Sequence, residues 1–214
     1  PEDLCRAKNG NLLVADTHYS RIVEFTPEGD YKGSFGSYGR APGQFIYPVG
    51  VCCDRDGNIY VAEYGENDRI QKFTTNGVFI CAWGAFGNGP GQFQRPSGIE
   101  MSPDQHLYVA DAVNHRVQVF TATGGLVRVI GKEGTAPGEF RYPYDVAVGS
   151  NVLYVLEFGN QRVQKLALDG RPLAIMGRPG SGDGCFASPW RCALVNDSLY
   201  VSDTENGRVV KLRW

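Results

Sequence analysis

A unit of 46 to 48 residues recurs down the chain, and this periodicity constrains the fold more than any other feature. Each unit opens on a proline: Pro1, Pro48, Pro96, Pro143 and Pro189. Inside it, a short apolar run ends in an acid, and an arginine follows five or six residues later. The fullest copy reads Tyr108-Val109-Ala110-Asp111, then Arg116, then Val117-Gln118-Val119-Phe120. The others pair Asp16 with Arg21, Glu63 with Arg69, Glu157 with Arg162 and Asp203 with Arg208. Repeats of this length belong to propellers and solenoids, whose modules hide their apolar sides only against copies of themselves.

Composition selects between these. The chain of 214 residues holds 28 glycines and 12 prolines, and its apolar runs are short and rich in β-branched and aromatic residues. Such runs read as strands. Asn9-Gly10, Asp56-Gly57, Asn76-Gly77 and Asp169-Gly170 fall between them, and these residues tolerate the positive φ of hairpin turns. The expected fold is all-β: one β-propeller domain over 1–214, built of four-stranded antiparallel blades. The repeats are 1–47, 48–95, 96–142 and 143–188, with a partial, three-stranded unit at 189–214. A formal net charge of −2 argues against tight nonspecific nucleic-acid binding. No apolar run approaches the length of a membrane span. No targeting segment is visible, and the chain opens inside a repeat.

The recurring pattern is Pro-x-x-(apolar), Asp-Gly-Asn-(apolar)-Tyr-Val-Ala-(acid), then Asn-x-Arg-(apolar)-Gln, with Trp-Gly and Gly-Gln-Phe-x-x-Pro. It resembles the NHL repeat family over the whole chain, and Val109 to Phe120, with Asn114 and His115, is close to the family's namesake segment. The resemblance implies a propeller that usually closes on six blades. The repeats counted here are fewer, which predicts a partial ring. Such a ring either self-associates through its end blades or closes, strained, on five.

The five acid–arginine pairs are expected to be structural, each an intrablade ion pair fastening the turn between strands two and three, because a unique active site breaks internal symmetry. The histidines, His18, His106 and His115, look scattered and read as exposed loop residues rather than a zinc site. NHL-like peptide-amidating lyases bind zinc through a histidine directly after the strand-opening proline. Here those positions hold Glu2, Val49, Ser97, Tyr144 and Trp190, so that constellation is missing. Asp54-Arg55-Asp56-Gly57-Asn58 starts like a calcium loop, but Gly65 stands where the twelfth-position carboxylate belongs. No catalytic residue, metal or cofactor is assigned. Six cysteines without a C-x-x-C pair suit free thiols and a reducing, cytoplasmic setting; Cys185 and Cys192 are the pair expected to bridge if any does.

What remains is a surface. The loops between second and third strands and between blades present Glu2, His18, Tyr19, Tyr64, Tyr144, Phe158 and Trp190. Arg40, Tyr47, Arg95, Arg141 and Arg178 stand in the nearby connections. Aromatic residues and arginine are enriched at binding hot spots. The first reading is a non-catalytic scaffold that binds a protein or peptide on this face. The alternatives are RNA binding, as in NHL domains of tripartite-motif proteins, and a propeller lyase or metal-dependent hydrolase.

Overall fold

The apolar runs form strands, and four of the five opening prolines stand at or next to the start of one, where a missing N–H costs the ladder least. The computed structural model describes residues 1–214. Blade 1 comprises β1 (Asp3–Arg6), β2 (Leu12–Asp16), β3 (Arg21–Phe25) and β4 (Tyr31–Phe35), with a single 3-10 turn at Thr17–Tyr19. Blade 2 is β5 (Tyr47–Cys53), β6 (Ile59–Tyr64), β7 (Arg69–Phe73) and β8 (Phe79–Trp83). Blade 3 is β9 (Pro96–Met101), β10 (His106–Asp111), β11 (Arg116–Thr121) and β12 (Leu126–Ile130). Blade 4 is β13 (Pro143–Val148), β14 (Val152–Glu157), β15 (Arg162–Ala167) and β16 (Pro172–Met176). Blade 5 has only β17 (Pro189–Val195), β18 (Ser198–Asp203) and β19 (Arg208–Leu212). Each sheet runs antiparallel in chain order, making a β-propeller of five blades, the last with three strands.

Four apolar cores lie between successive blades. Leu13, Ala15 and Ile22 of blade 1 meet Val51, Val61 and Phe73 of blade 2. Tyr60 and Ile70 meet Ile99 and Phe120 of blade 3. Val117 and Ile130 meet Val146 and Val155 of blade 4. Leu156 and Val163 meet Leu199 and Val201 of blade 5. The phenylalanine of each Gly-x-Phe connection plugs one core: Phe45, Phe93, Phe140 and Phe186 are at most 1 % exposed. Burying one such ring contributes about 1.5–3 kcal/mol. At Gly131, with φ +84°, a Cβ would overlap the Phe140 ring, so glycine is required there.

No fifth core joins blade 5 to blade 1. A cleft of about 500 Å³ separates them, lined by Leu4, Val14, Ala193, Tyr200, Ser202 and Val209. The two blades meet at the axis, where Arg191 Nε donates to the Glu2 carbonyl at 3.0 Å. Within residues 1–214 the five blades therefore meet at the axis and stay open between blades 5 and 1.

The acid–arginine pairs do more than fasten a turn. Asp111 is fully buried and accepts Arg116 Nε at 2.8 Å, Asn114 Nδ2 at 2.9 Å and the Gln94 N–H at 2.8 Å. The rest of the guanidinium donates to the carbonyls of Asn88, Gly89 and Gln92, in the connection from blade 2. Gln118 Nε2 joins the Gln92 carbonyl to Asp111. Glu63 with Arg69, Glu157 with Arg162 and Asp203 with Arg208 hold the other connections the same way. In blade 1, Arg21 pairs with Asp16 at 2.8 Å.

Burial pushes the Asp111 carboxyl above the usual carboxylate range, and the Gln94 N–H, Asn114 and Arg116 oppose that rise. Arg116→Met keeps the stem but leaves that carboxylate without its cation. Urea unfolding is expected to register a loss of about 3–5 kcal/mol. Adding Asp111→Asn to Arg116→Met should recover part of it.

Candidate functional site

One guanidinium marks the axis. Arg191 donates to the Glu2 carbonyl at 3.0 Å, the Val49 carbonyl at 2.8 Å, Ser97 Oγ at 3.0 Å and the Tyr144 carbonyl at 3.0 Å. Each acceptor directly follows the opening proline of another blade. The first strands of blades 2 to 5 all shift register just after their prolines, a β-bulge that turns these residues inward. In blade 5, Ser202 Oγ accepts the Arg191 N–H at 2.8 Å and pins the bulge. Blades 2 and 3 place Gly50 and Gly98 at the position that Arg191 occupies in blade 5. A side chain at Gly98 would run into Asp145.

Three carboxylates accompany this cation, each capping an N–H of the next blade. Asp3 accepts from Val51 at 2.9 Å, Glu100 from Val148 at 3.0 Å and Asp145 from Cys192 at 2.7 Å. Desolvation pushes the Asp3 carboxyl up to about 7, although Arg191 pulls it down, and the Glu100 carboxyl up to about 8. None of these four residues is marked by the repeated motif. For three of them the available signal is the second residue after the proline, which reads Asp3, Gly50, Gly98, Asp145 and Arg191 along the chain; Glu100 is the fourth residue after Pro96.

Around this plug the mouth is aromatic. Tyr144 and Phe158 stack with centroids 4.8 Å apart and planes 16° apart. Trp190 stands edge-on to both, at 5.0 Å and 5.9 Å. On the far side, Tyr64 packs on Tyr47 at 5.3 Å, and Tyr47 meets His18 at 6.4 Å. The Arg95 guanidinium joins the two groups, 5.2 Å from the Tyr64 ring and 5.4 Å from the Tyr144 ring. Blade 3 itself offers only Ser97 and Ala112 at the matching positions, both buried, which leaves room for Arg95 above them. Arg95 has φ 57° directly before Pro96, a conformation costing about 1–3 kcal/mol. Its N–H donates to buried Asp68 Oδ1 at 2.6 Å, which helps fix that backbone. Glu2 lies beside this mouth, its carboxylate 3.9 Å from Arg191.

Other expected surface residues fall elsewhere. Tyr19 is 73 % exposed, and Arg21 lies over its ring. The Arg141 side chain is exposed while its N–H donates to Glu157. Arg40 pairs with Glu66, and Arg178 Nε reaches Cys185 Sγ at 3.4 Å. The histidines occupy three separate places. His106 pairs with Asp104 at 3.0 Å on a first-to-second-strand turn. His115 is not a bare loop residue: its Nδ1 accepts the Tyr142 N–H at 3.0 Å, much as Asp68 serves Arg95. No three His, Cys, Asp or Glu residues converge in a metal-holding arrangement.

All six cysteines are free thiols. The close pair is Cys5 and Cys53, with sulfurs 3.8 Å apart across blades 1 and 2, and not Cys185 and Cys192. The Cys5 hydrogen bond lowers the Cys53 pKa, whereas burial raises those of Cys52 and Cys192.

The family model described as "NHL repeat" matches residues 45–73 and 93–120. No curated protein matches the sequence. Among solved structures, virginiamycin B lyase from Staphylococcus aureus superposes with a TM-score of 0.72 at 17 % identity, covering 99 % of this chain and 65 % of that one. A protein of unknown function from Bacteroides caccae gives 0.69 at 16 %, covering 98 % and 76 %. Hydrazine synthase from Kuenenia stuttgartiensis gives 0.66 at 15 %, covering 98 % and 75 %. The chain thus spans about two thirds of the length of the lyase it matches. At these identities the likeness is one of fold.

Two measurements follow from the axis and the thiols. Asp3 and Glu100 keep protons in the folded ring that the unfolded chain releases near pH 4, so their contribution to stability falls as pH rises from about 4 to 8. The melting temperature should drop between pH 5.5 and 8.5, and Asp3→Asn with Glu100→Gln should flatten that drop. Iodoacetamide at pH 8 should alkylate Cys53 well before Cys52 or Cys192, as mass spectrometry of peptides will read.

Proposed function

For a chain that is an NHL-repeat β-propeller, we propose a non-catalytic recognition role: the mouth formed by Tyr64, Arg95, Tyr144, Phe158 and Trp190 binds a segment of a protein or peptide partner. One observation carries the reading. Rings from blades 2, 4 and 5 gather with an arginine around a single opening, although the repeat places aromatic residues there in no regular way. Rigid aromatic anchors of this kind supply large contact area at low entropic cost. The scaffold beneath is held by buried ion pairs and by Arg191, so the mouth is preorganised.

RNA binding is the weaker reading. Tyr144, Phe158 and Trp190 spend their faces and edges on one another rather than standing free as a base-stacking platform. Acidic Glu2, Glu66 and Asp68 stand by the mouth, and they oppose a polyphosphate. A catalytic reading rests on the lyase neighbours, whose resemblance is to the fold.

The test is selection of binders from a random peptide display library. Tyr144→Ala with Trp190→Ala is expected to weaken the selected peptides about 10-fold or more while melting stays cooperative. Unchanged affinity in the folded double variant overturns the assignment of this mouth. Turnover of virginiamycin B by the wild-type chain overturns the non-catalytic reading.

A further inference from the structure

Arg95 differs from most arginines around it. Arg40, Arg69, Arg116, Arg162 and Arg208 each face a carboxylate within ion-pair distance. Arg95 sits half-buried with no carboxylate in range, and its guanidinium donates no hydrogen bond within the chain. Tyrosine rings on two sides hold the cation, and its backbone is tied down through Asp68. A guanidinium fixed by ring contacts keeps its N–H donors for an external acceptor, and its fork matches a carboxylate. Beside it opens a cavity of about 470 Å³ whose apolar wall comes from Tyr64, Phe86 and Val113. Phe86 is 66 % exposed and Val113 39 % exposed.

We propose that Arg95 is an anion anchor: it takes the side-chain carboxylate of a Glu or Asp within the bound peptide, while an adjacent apolar side chain of that peptide fills the cavity between Tyr64, Phe86 and Val113. The proposal rests on the peptide-binding reading of the mouth and adds the chemistry of the ligand. A side-chain carboxylate fits better than a chain terminus. Terminal carboxylates are captured by clusters of free backbone N–H groups. Here the N–H groups of Arg95, Ala112 and Val113 already donate to Asp68, to the Arg95 carbonyl and to the Gln94 carbonyl. A single carboxylate also fits better than a run of charge, since Glu66 and Asp68 line the same cavity.

The probe is the acetylated and amidated peptide Gly-Phe-Glu-Phe-Gly, set against its counterpart with Gln in place of Glu, by NMR titration of the intact chain. The Glu peptide is expected to bind at least about 10-fold more tightly than the Gln peptide. Arg95→Met, which retains an apolar stem between the two tyrosines, should abolish that difference, so that the variant binds the Glu and Gln peptides alike. Arg95→Lys should restore part of it. Equal binding of both peptides to the wild-type chain overturns the anchor, as does a Glu preference that survives Arg95→Met. Tighter binding of Gly-Phe-Gly-Phe-Gly with a free C-terminus, or of poly(U), also overturns it. The peptide-binding reading fails separately: then Tyr144→Ala with Trp190→Ala leaves display-selected binders untouched, whatever the Glu-to-Gln ratio.

Discussion

A carboxylate fully buried at the end of the second strand is the constraint from which blades 2 to 5 are built. Asp111, Glu63, Glu157 and Asp203 have no access to water and must be satisfied by protein groups. Their arginines satisfy them and then spend the remaining N–H groups on the carbonyls of the incoming connection. A chain segment with no sheet of its own is thereby given hydrogen-bond partners. This places the connection's phenylalanine between two sheets. Polar satisfaction and apolar packing are thus coupled: the ion pair sets the backbone path, and the path delivers Phe93 or Phe140 to the interface it fills.

The blades were legible in the sequence because every signal for them recurs. Turn residues, apolar runs and the acid–arginine spacing each appear in successive units, and the strands fall where they indicate, including the three-stranded unit after Pro189. The partners across the ring were less legible, because recurrence identifies equivalent residues without saying what they touch. Asp111 and Arg116 read as a fastening within one blade, yet Arg116 also reaches carbonyls 24 to 28 positions upstream. Cys185 and Cys192 are close in sequence and do not meet, while Cys5 and Cys53 are 48 positions apart and nearly touch. In a propeller, one repeat length is the natural separation of neighbours. The same step joins Asp3 to Val51 and Glu100 to Val148.

The candidate site was half legible. Tyr64, Arg95, Tyr144, Phe158 and Trp190 stand out as residue types suited to recognition, and they come together. Tyr19 and Arg141 share the type but point elsewhere. Position within the unit accounts for most of this: Tyr144 and Trp190 follow a proline, Tyr64 and Phe158 follow a buried acid, and Arg95, directly before Pro96, joins them where blade 3 carries only Ser97 and Ala112. The axial residues are not marked by the repeat, for the opposite reason. They differ from blade to blade, as they must where five strands approach one line and only one long side chain fits.

That line gives the molecule a built-in gauge. Arg191 belongs to the fifth blade and is hydrogen-bonded to the first four, so the blades cannot slide, splay or tilt without stretching a contact to this one side chain. Its guanidinium nitrogens, isotopically labelled, would report breathing of the whole assembly from a single spectroscopic address.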